Sequence, residues 1–350
     1  MMNDIGEPTV LALLGLLGGM VLGLAARLGR FCTLGAIEDA LYAQDDTRLR
    51  MWGIAIGTAI IGSFALAATG LLQPEQTIYL AFAFQPLASI LGGLMFGYGM
   101  ALAGNCGYGA LARLGGGDLR SFVIVLVMGL AAFATISGPL AYLRVAAFAQ
   151  TPADVAPGIA QGLSGLTGLP VNGIGIAIGA AVLAMTLSAA PFRSNLRAVF
   201  WGVCVGLAIV SGWAGTQWVA VAGFAPTVVV SHTFAAPLGE TMLYAMTASG
   251  SSLSFGIGSV LGVLLGAFIG SLVKGHFRWE ACEDPRELRR QIAGAALMGV
   301  GAVLAMGCSI GQGLSAISVL AYSAPLVMAG IFAGAGIGLR QLITGFARIA

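Results

Sequence analysis

The chain has 350 residues, of which 58% are hydrophobic and 9% charged, with a mean hydropathy of +0.94. A soluble protein carries roughly 25% charged residues, so the composition excludes one, and long continuous apolar runs exclude the short alternating segments of a β-barrel. The expected fold class is an all-α polytopic membrane protein; the net charge of +2 says nothing about partners.

The chain opens on Met1-Met2-Asn3-Asp4-Ile5-Gly6-Glu7-Pro8. A cleaved secretory signal has a basic n-region, whereas this segment is acidic, so the first apolar run is expected to remain as a span. A crossing needs about 20 mostly apolar residues. That length predicts span one at 9–27, two at 51–72, three at 86–104, four at 119–140 and five at 170–190. Spans six to nine follow at 198–221, 253–273, 292–307 and 323–340. Four connections, 28–46, 105–118, 222–250 and 308–322, are too long and too apolar for plain loops. Half-spans of this kind are re-entrant segments, which survive only where protein or a watery cavity surrounds them. A further stretch, 157–169, reads as a short interfacial helix.

Fifteen of the sixteen Lys and Arg fall after odd-numbered spans; Arg144 is the exception. This bias predicts a cytoplasmic C-terminus and an N-terminus outside. Glycine is abundant, 54 residues, as suits close helix packing in membranes. Gly97-x-Gly99-x6-Cys106-x2-Gly109 recurs as Gly299-x-Gly301-x6-Cys308-x2-Gly311, at a constant offset of 202 residues. Gly92 matches Gly294. Five crossings separate the copies, so they run antiparallel. The expected arrangement is an inverted repeat of four spans (9–140), a linking fifth (170–190) and four more (198–340), forming a single transmembrane domain.

Each repeat ends a helix on a lone cysteine before a short helix. Free N–H groups at such a helix start favour anions, and a thiol there is a weak donor or a thiolate. Cys32, in Arg30-Phe31-Cys32-Thr33-Leu34-Gly35, opens the first re-entrant segment in a similar setting. Its counterpart in the second half is expected near Gly212-Trp213-Ala214-Gly215. The five cysteines include no C-x-x-C pair, which argues against a disulfide framework, a zinc site or a thiol–disulfide enzyme.

Four stretches resemble the YeeE/YedE family of sulfur-compound transporters. They are Arg30-Phe31-Cys32, the segment from Gly97 to Gly109, Arg113-Leu114-Gly115-Gly116-Gly117-Asp118-Leu119-Arg120-Ser121, and Gly307-Cys308-Ser309-Ile310-Gly311-Gln312-Gly313. The resemblance extends along essentially the whole chain. It implies a bacterial inner-membrane permease importing thiosulfate, with nine spans and re-entrant loops related by pseudo-symmetry. It also implies a conduction path lined by Cys32, Cys106 and Cys308, which Asn105, Gly107, Gly307 and Ser309 flank as candidate substrate-binding residues. A cytoplasmic sulfurtransferase-like partner belongs with this reading. Family members linked to selenium metabolism keep a selenium compound, or another sulfur oxyanion, as the alternative cargo. A soft cation such as Cu(I) would also suit thiolates, but Met and His do not cluster near these cysteines apart from Met100 and Met306. No cofactor, resident metal, nucleic acid or ATP-binding motif is expected.

Thiosulfate is a dianion, costly to place in low dielectric without compensation. No Lys or Arg is expected at mid-membrane, so helix N-termini and backbone N–H groups must supply the positive potential. Thiols offer its soft terminal sulfur contacts weak enough for release. Among the remaining residues, Cys204 is expected to pack on a helix face, and Cys282 to be a surface thiol with a lesser claim to meeting a sulfur-carrier partner. Asp118 is expected to cap span four, His232 to be structural and His276 a loop residue. Arg113 is a topology anchor placed to draw anions at the inner mouth.

Overall fold

A computed structural model describes residues 6–224, 226–281 and 284–345; Cys282 lies outside them. Helix α1 (Glu7–Leu28) is followed by the short α2 (Thr33–Glu38) and a π turn (Asp39–Ala43), then α3 (Thr47–Ala68). Next come α4 (Pro86–Ala103), the short α5 (Gly107–Leu114) and α6 (Leu119–Ile136). Two short helices, α7 (Ala141–Ala147) and α8 (Ile159–Thr167), lead to α9 (Val171–Leu187), and one turn, α10 (Ala190–Arg193), leads to α11 (Leu196–Ala222). The chain continues with α12 (Ala236–Thr247), α13 (Phe255–Val273) and α14 (Pro285–Leu304). After a π-helical stretch (Gly311–Ala316) inside the helical residues 309–318, it finishes with α15 (Ser323–Thr344). Extended structure among the described residues is confined to isolated bridges.

Long helices occupy all nine places where the apolar runs predicted them, and seven are long and apolar enough to cross a membrane on their own. The two others have specific reasons. α9 has only 17 residues and meets α8 at a 118° bend. α14 begins at Pro285 rather than 292, because Asp284 accepts the Arg286 N–H at 2.8 Å and Pro285 fits the first turn, so a charged turn extends the helix. Asp118 caps α6 as expected, accepting the Arg120 N–H at 3.0 Å. Exposed leucines such as Leu13 and Leu17 on α1, Leu126 and Leu130 on α6, and Leu261 and Leu265 on α13 give the helices apolar outer faces.

Helix directions can be read from glycine contacts. α1 and α13 are the most extensively packed pair and run parallel: Gly15, Gly19 and Gly23 face Phe255, Ser259 and Val263 in that order. In return, Gly258, Gly262 and Gly266 face Ala12, Leu16 and Met20. The fit leaves no room for side chains, since a Cβ on Gly19 would sit 2.3 Å from the Ser259 carbonyl oxygen. α3 runs parallel to α11 and antiparallel to α9, while α15 runs parallel to α4. α4 and α14 cross antiparallel through the glycines of the sequence repeat. Gly92 lies against Gly301 and Gly99 against Gly294, each close enough that an added Cβ would strike the opposite carbonyl.

Candidate functional site

The three cysteines share one backbone device, in which a long helix stops and a residue in the left-handed region turns the chain. Two positions later comes the cysteine, and a short helix starts behind it. The turning residues are Arg30 (φ 59°), Gly104 (φ 75°) and Met306 (φ 55°). Met306 occupies the position after α14 that glycine usually fills: Gly307 N–H bonds Ala302 O at 2.8 Å and Met306 N–H bonds Val303 O at 3.2 Å. For Arg30 and Met306 the left-handed backbone is a strained choice, of a sort that gathers at functional sites.

Each sulfur then accepts the backbone N–H three residues on. Gly35 donates to Cys32 Sγ at 3.5 Å, Gly109 to Cys106 Sγ at 3.4 Å, and Gly311 to Cys308 Sγ at 3.4 Å. All three thiols therefore sit where free helix N–H groups favour a negative charge. Cys308 Sγ also accepts the Phe234 N–H at 3.2 Å and shares a hydrogen bond with the Thr233 hydroxyl at 3.6 Å. Cys106 and Cys308 are buried and Cys32 is half-buried.

The arrangement joins breaks that are far apart in sequence. Thr33 donates to the Ser309 hydroxyl at 3.1 Å and lies 4.0 Å from Cys106 Sγ, and Ser309 also reaches that sulfur. Aromatic rings enclose this core: Phe31 stacks on Trp52 with centroids 4.8 Å apart and meets Tyr108 edge-on at 6.5 Å, and Tyr108 lies 5.5 Å from Phe234. Tyr108 is tied down by its hydroxyl, which donates to Leu22 O at 2.6 Å.

Two cavities approach the core from opposite ends. One, of about 320 Å³, holds Cys32, Asn105 and Gly109 beside Arg27 and Lys274, at the C-terminal ends of α1 and α13. The other, of about 220 Å³, is lined by Tyr79, Arg144, Thr233, Met306 and Gly307. Thr233 also borders a third cavity at the N-terminal ends of α1 and α13. α1 alone, at 22 residues, separates the two sides by about 33 Å. Between the cavities Cys106 and Cys308 are closed over, with exposures of 0% and 1%.

Of the sequence-predicted site residues, Cys32, Cys106, Cys308 and Ser309 converge on the core. Asn105 is buried beside the first cavity, and Gly307 borders the second. Gly107 serves a close approach instead, since a Cβ there would meet the Phe234 carbonyl at 2.8 Å and Met128 Sδ at 2.7 Å. The expected counterpart of Cys32 needs correction. Gly212 to Gly215 lie inside α11, where no break occurs. The break comes after α11, in the non-helical residues 226–235, and Phe234, not a cysteine, stands 202 residues after Cys32. The sequence reading missed Thr33, whose signal was its place directly after a cysteine, the same place Ser309 holds after Cys308; Thr233, in the Ser231-His232-Thr233 stretch that the sequence offers as polar lining, lies against Cys308.

His232 is wholly buried and its Nδ1 pairs with Ser259 Oγ at 2.6 Å, a structural role between α13 and the break. Cys204 is half-buried on α11. Among the described residues no group of three or more His, Cys, Asp or Glu is placed to hold a metal ion.

The chain is 28% identical over 322 residues to the thiosulfate transporter TsuA of Spirochaeta thermophila, covering 88% of this chain and 92% of that one. It is 26% identical over 320 residues to the thiosulfate transporter TsuA of Escherichia coli K12, covering 86% of each. A family profile described as "Sulphur transport" matches residues 28–337. The chain belongs to this sulphur-transport family, YeeE/YedE, and is a transporter rather than an enzyme.

Proposed function

We propose that the protein is an inner-membrane permease that brings thiosulfate into the cytoplasm past Cys308, Cys106 and Cys32 in turn. The observation carrying this reading is the threefold device of a left-handed turn, a cysteine and a helix N–H bonded to its sulfur, gathered at one buried core. A site that already offers N–H and O–H donors to sulfur can offer them to the terminal sulfur of an anion. The substrate class comes from the relatives, both thiosulfate transporters. Ser309, with Thr33 and Thr233, offers hydroxyls to the oxyanion end, while Asn105, Gly107 and Gly307 shape the approach.

Nine crossings, in an inverted repeat of four, one and four, are supported by the packing. Exchanging α1, α3, α4 and α6 for α11, α13, α14 and α15 carries the main contacts among these eight helices onto one another: α1–α13 becomes α11–α3, α4–α15 becomes α14–α6, and α4–α14 is unchanged, while the linking α9 packs on α3 alone of the two halves' second spans. The directions also agree with nine crossings, because odd-numbered spans pair parallel with odd and antiparallel with even. The basic loops favour an N-terminus outside and a C-terminus in the cytoplasm, where a sulfurtransferase-like partner would receive the cargo.

Uptake of labelled thiosulfate into proteoliposomes tests the reading. Cys106→Ala and Cys308→Ala are each expected to reduce uptake severely, and Cys32→Ala partly, with the protein still folded. Normal uptake by the Cys106→Ala/Cys308→Ala double variant would overturn the mechanism. Competition by selenite stronger than by unlabelled thiosulfate would shift the cargo to selenium.

A further inference from the structure

We propose that the basic bowl over Cys32 is a second anion site, one that holds a doubly charged oxyanion through its oxygens at the inner end of the path. The permease reading supplies which end is inner; the chemistry of the bowl stands apart from it. Arg27 from the end of α1, Arg30 from the turn, Arg48 from α3, Arg113 from the end of α5, and Lys274 and His276 beyond α13 line one cavity of about 320 Å³. Topology explains positive charge on that side; it does not require side chains from separate helices to converge on a cavity with a thiol in its wall.

The charges are poorly neutralised. Arg48 pairs with Asp39 at 3.1 Å, but no carboxylate among the described residues pairs with Arg27, Arg30, Arg113 or Lys274. Glu38, Asp118 and Glu280 act on the cluster from longer range. Arg27 Nε is buried with no partner, and its guanidinium lies so close over Gly116 that any side chain there would collide with it. Burial and the charges of Arg197, Arg30 and Arg27 hold the Lys274 ammonium below its ordinary range. Like charges gathered in this way repel, and an anion between them relieves the repulsion.

Two carbonyls at the end of α1 that would oppose an anion are covered. Lys274 Nζ donates to Arg27 O, and Arg197 donates to Leu28 O at 2.6 Å, covering the carbonyls that carry the negative end of the helix dipole. Guanidinium and ammonium N–H groups match oxygen and are indifferent to sulfur. The bowl therefore takes sulfate as readily as thiosulfate, and discrimination falls to the thiols.

The test reads Cys32 rather than transport. In a Cys204→Ala/Cys282→Ala background in nanodiscs, Cys106 and Cys308 are buried, and labelling of Cys32 is followed by mass spectrometry. An anionic methanethiosulfonate reagent is expected to outpace a cationic one of similar size by roughly tenfold. Sodium sulfate should slow it more than sodium chloride at equal ionic strength. Arg27→Gln/Arg113→Gln should bring the two reagents to within about twofold of each other and abolish protection by sulfate, while Arg27→Lys/Arg113→Lys keeps both effects. A neutral reagent reports whether the fold survives; if the double variant fails that control, Arg113→Gln alone, at an exposed position, carries the test. Equal protection by chloride would reduce the bowl to screening and overturn the proposal, as would an unchanged reagent ratio in the glutamine variant. Lost thiosulfate uptake with sulfate protection intact would strike the permease reading and leave the bowl standing.

Discussion

A thiol is a poor helix cap beside serine or aspartate, yet cysteine begins all three short helices at the core. Capping alone therefore does not account for the choice. Cys106→Ser should keep the cap and the folded protein while lowering thiosulfate uptake severalfold, because a hydroxyl is harder and shorter than a thiol; uptake equal to the native protein would return Cys106 to a structural role. The turning residue ahead of it makes a separate prediction. Gly104 has φ 75° and open space where a Cβ would go, so Gly104→Ala pays only for the left-handed backbone, about 1 kcal/mol, seen as a lower midpoint of thermal unfolding in detergent. Cys204→Ala, on a half-exposed helix face, should leave uptake unchanged and stability within about 0.5 kcal/mol.

Glycine-lined contacts control how the long helices fit. Gly99→Ala and Gly294→Ala, across the α4–α14 crossing, should each destabilise by about 1–3 kcal/mol through overpacking. Because the two face each other, the double variant should cost less than the sum, and a double-mutant cycle on unfolding midpoints measures the coupling. These long elements were legible in the sequence because twenty-residue apolar runs and Gly spacing state them directly. The breaks at Cys32, Cys106 and Cys308 were legible for the same reason, each carrying a cysteine in a Gly frame. The fourth break was legible as the connection 222–250, but the counterpart of Cys32 within it was not: that position is Phe234, and the glycines at 212 and 215, which suggest it in the sequence, instead let α11 pack closely against its neighbours, Gly215 against Leu14. Thr33 escaped although it follows a cysteine as Ser309 does, because its contact with Ser309 lies across 276 residues, and the link of Thr233 to Cys308, across 75 residues, is likewise one that only the fold displays.

At the scale of the whole molecule, two cavities lie on either side of a core in which Cys106 and Cys308 are closed over, and the proposed path would have to open that core to each cavity in turn. In oriented vesicles, Cys32 should react with an impermeant thiol reagent only from the side bearing Lys274, and Thr233→Cys only from the other side. Labelling of both from one side would break the inverted arrangement.

The pairing of Cys32 with Phe234 reaches further than a missing thiol. A duplicated passage built from equivalent halves would give an ion the same sequence of resting places whichever way it travelled. On the proposed path a sulfur-bearing ion leaving by one end has Cys32 as a last thiol on which to pause, and at the matching place by the other end an aromatic ring whose backbone N–H is already bonded to Cys308 Sγ. The proposed path therefore predicts unequal dwell times at its two exits, and Phe234→Cys, by adding the fourth resting place, should make exchange of labelled thiosulfate more nearly equal in its two half-reactions.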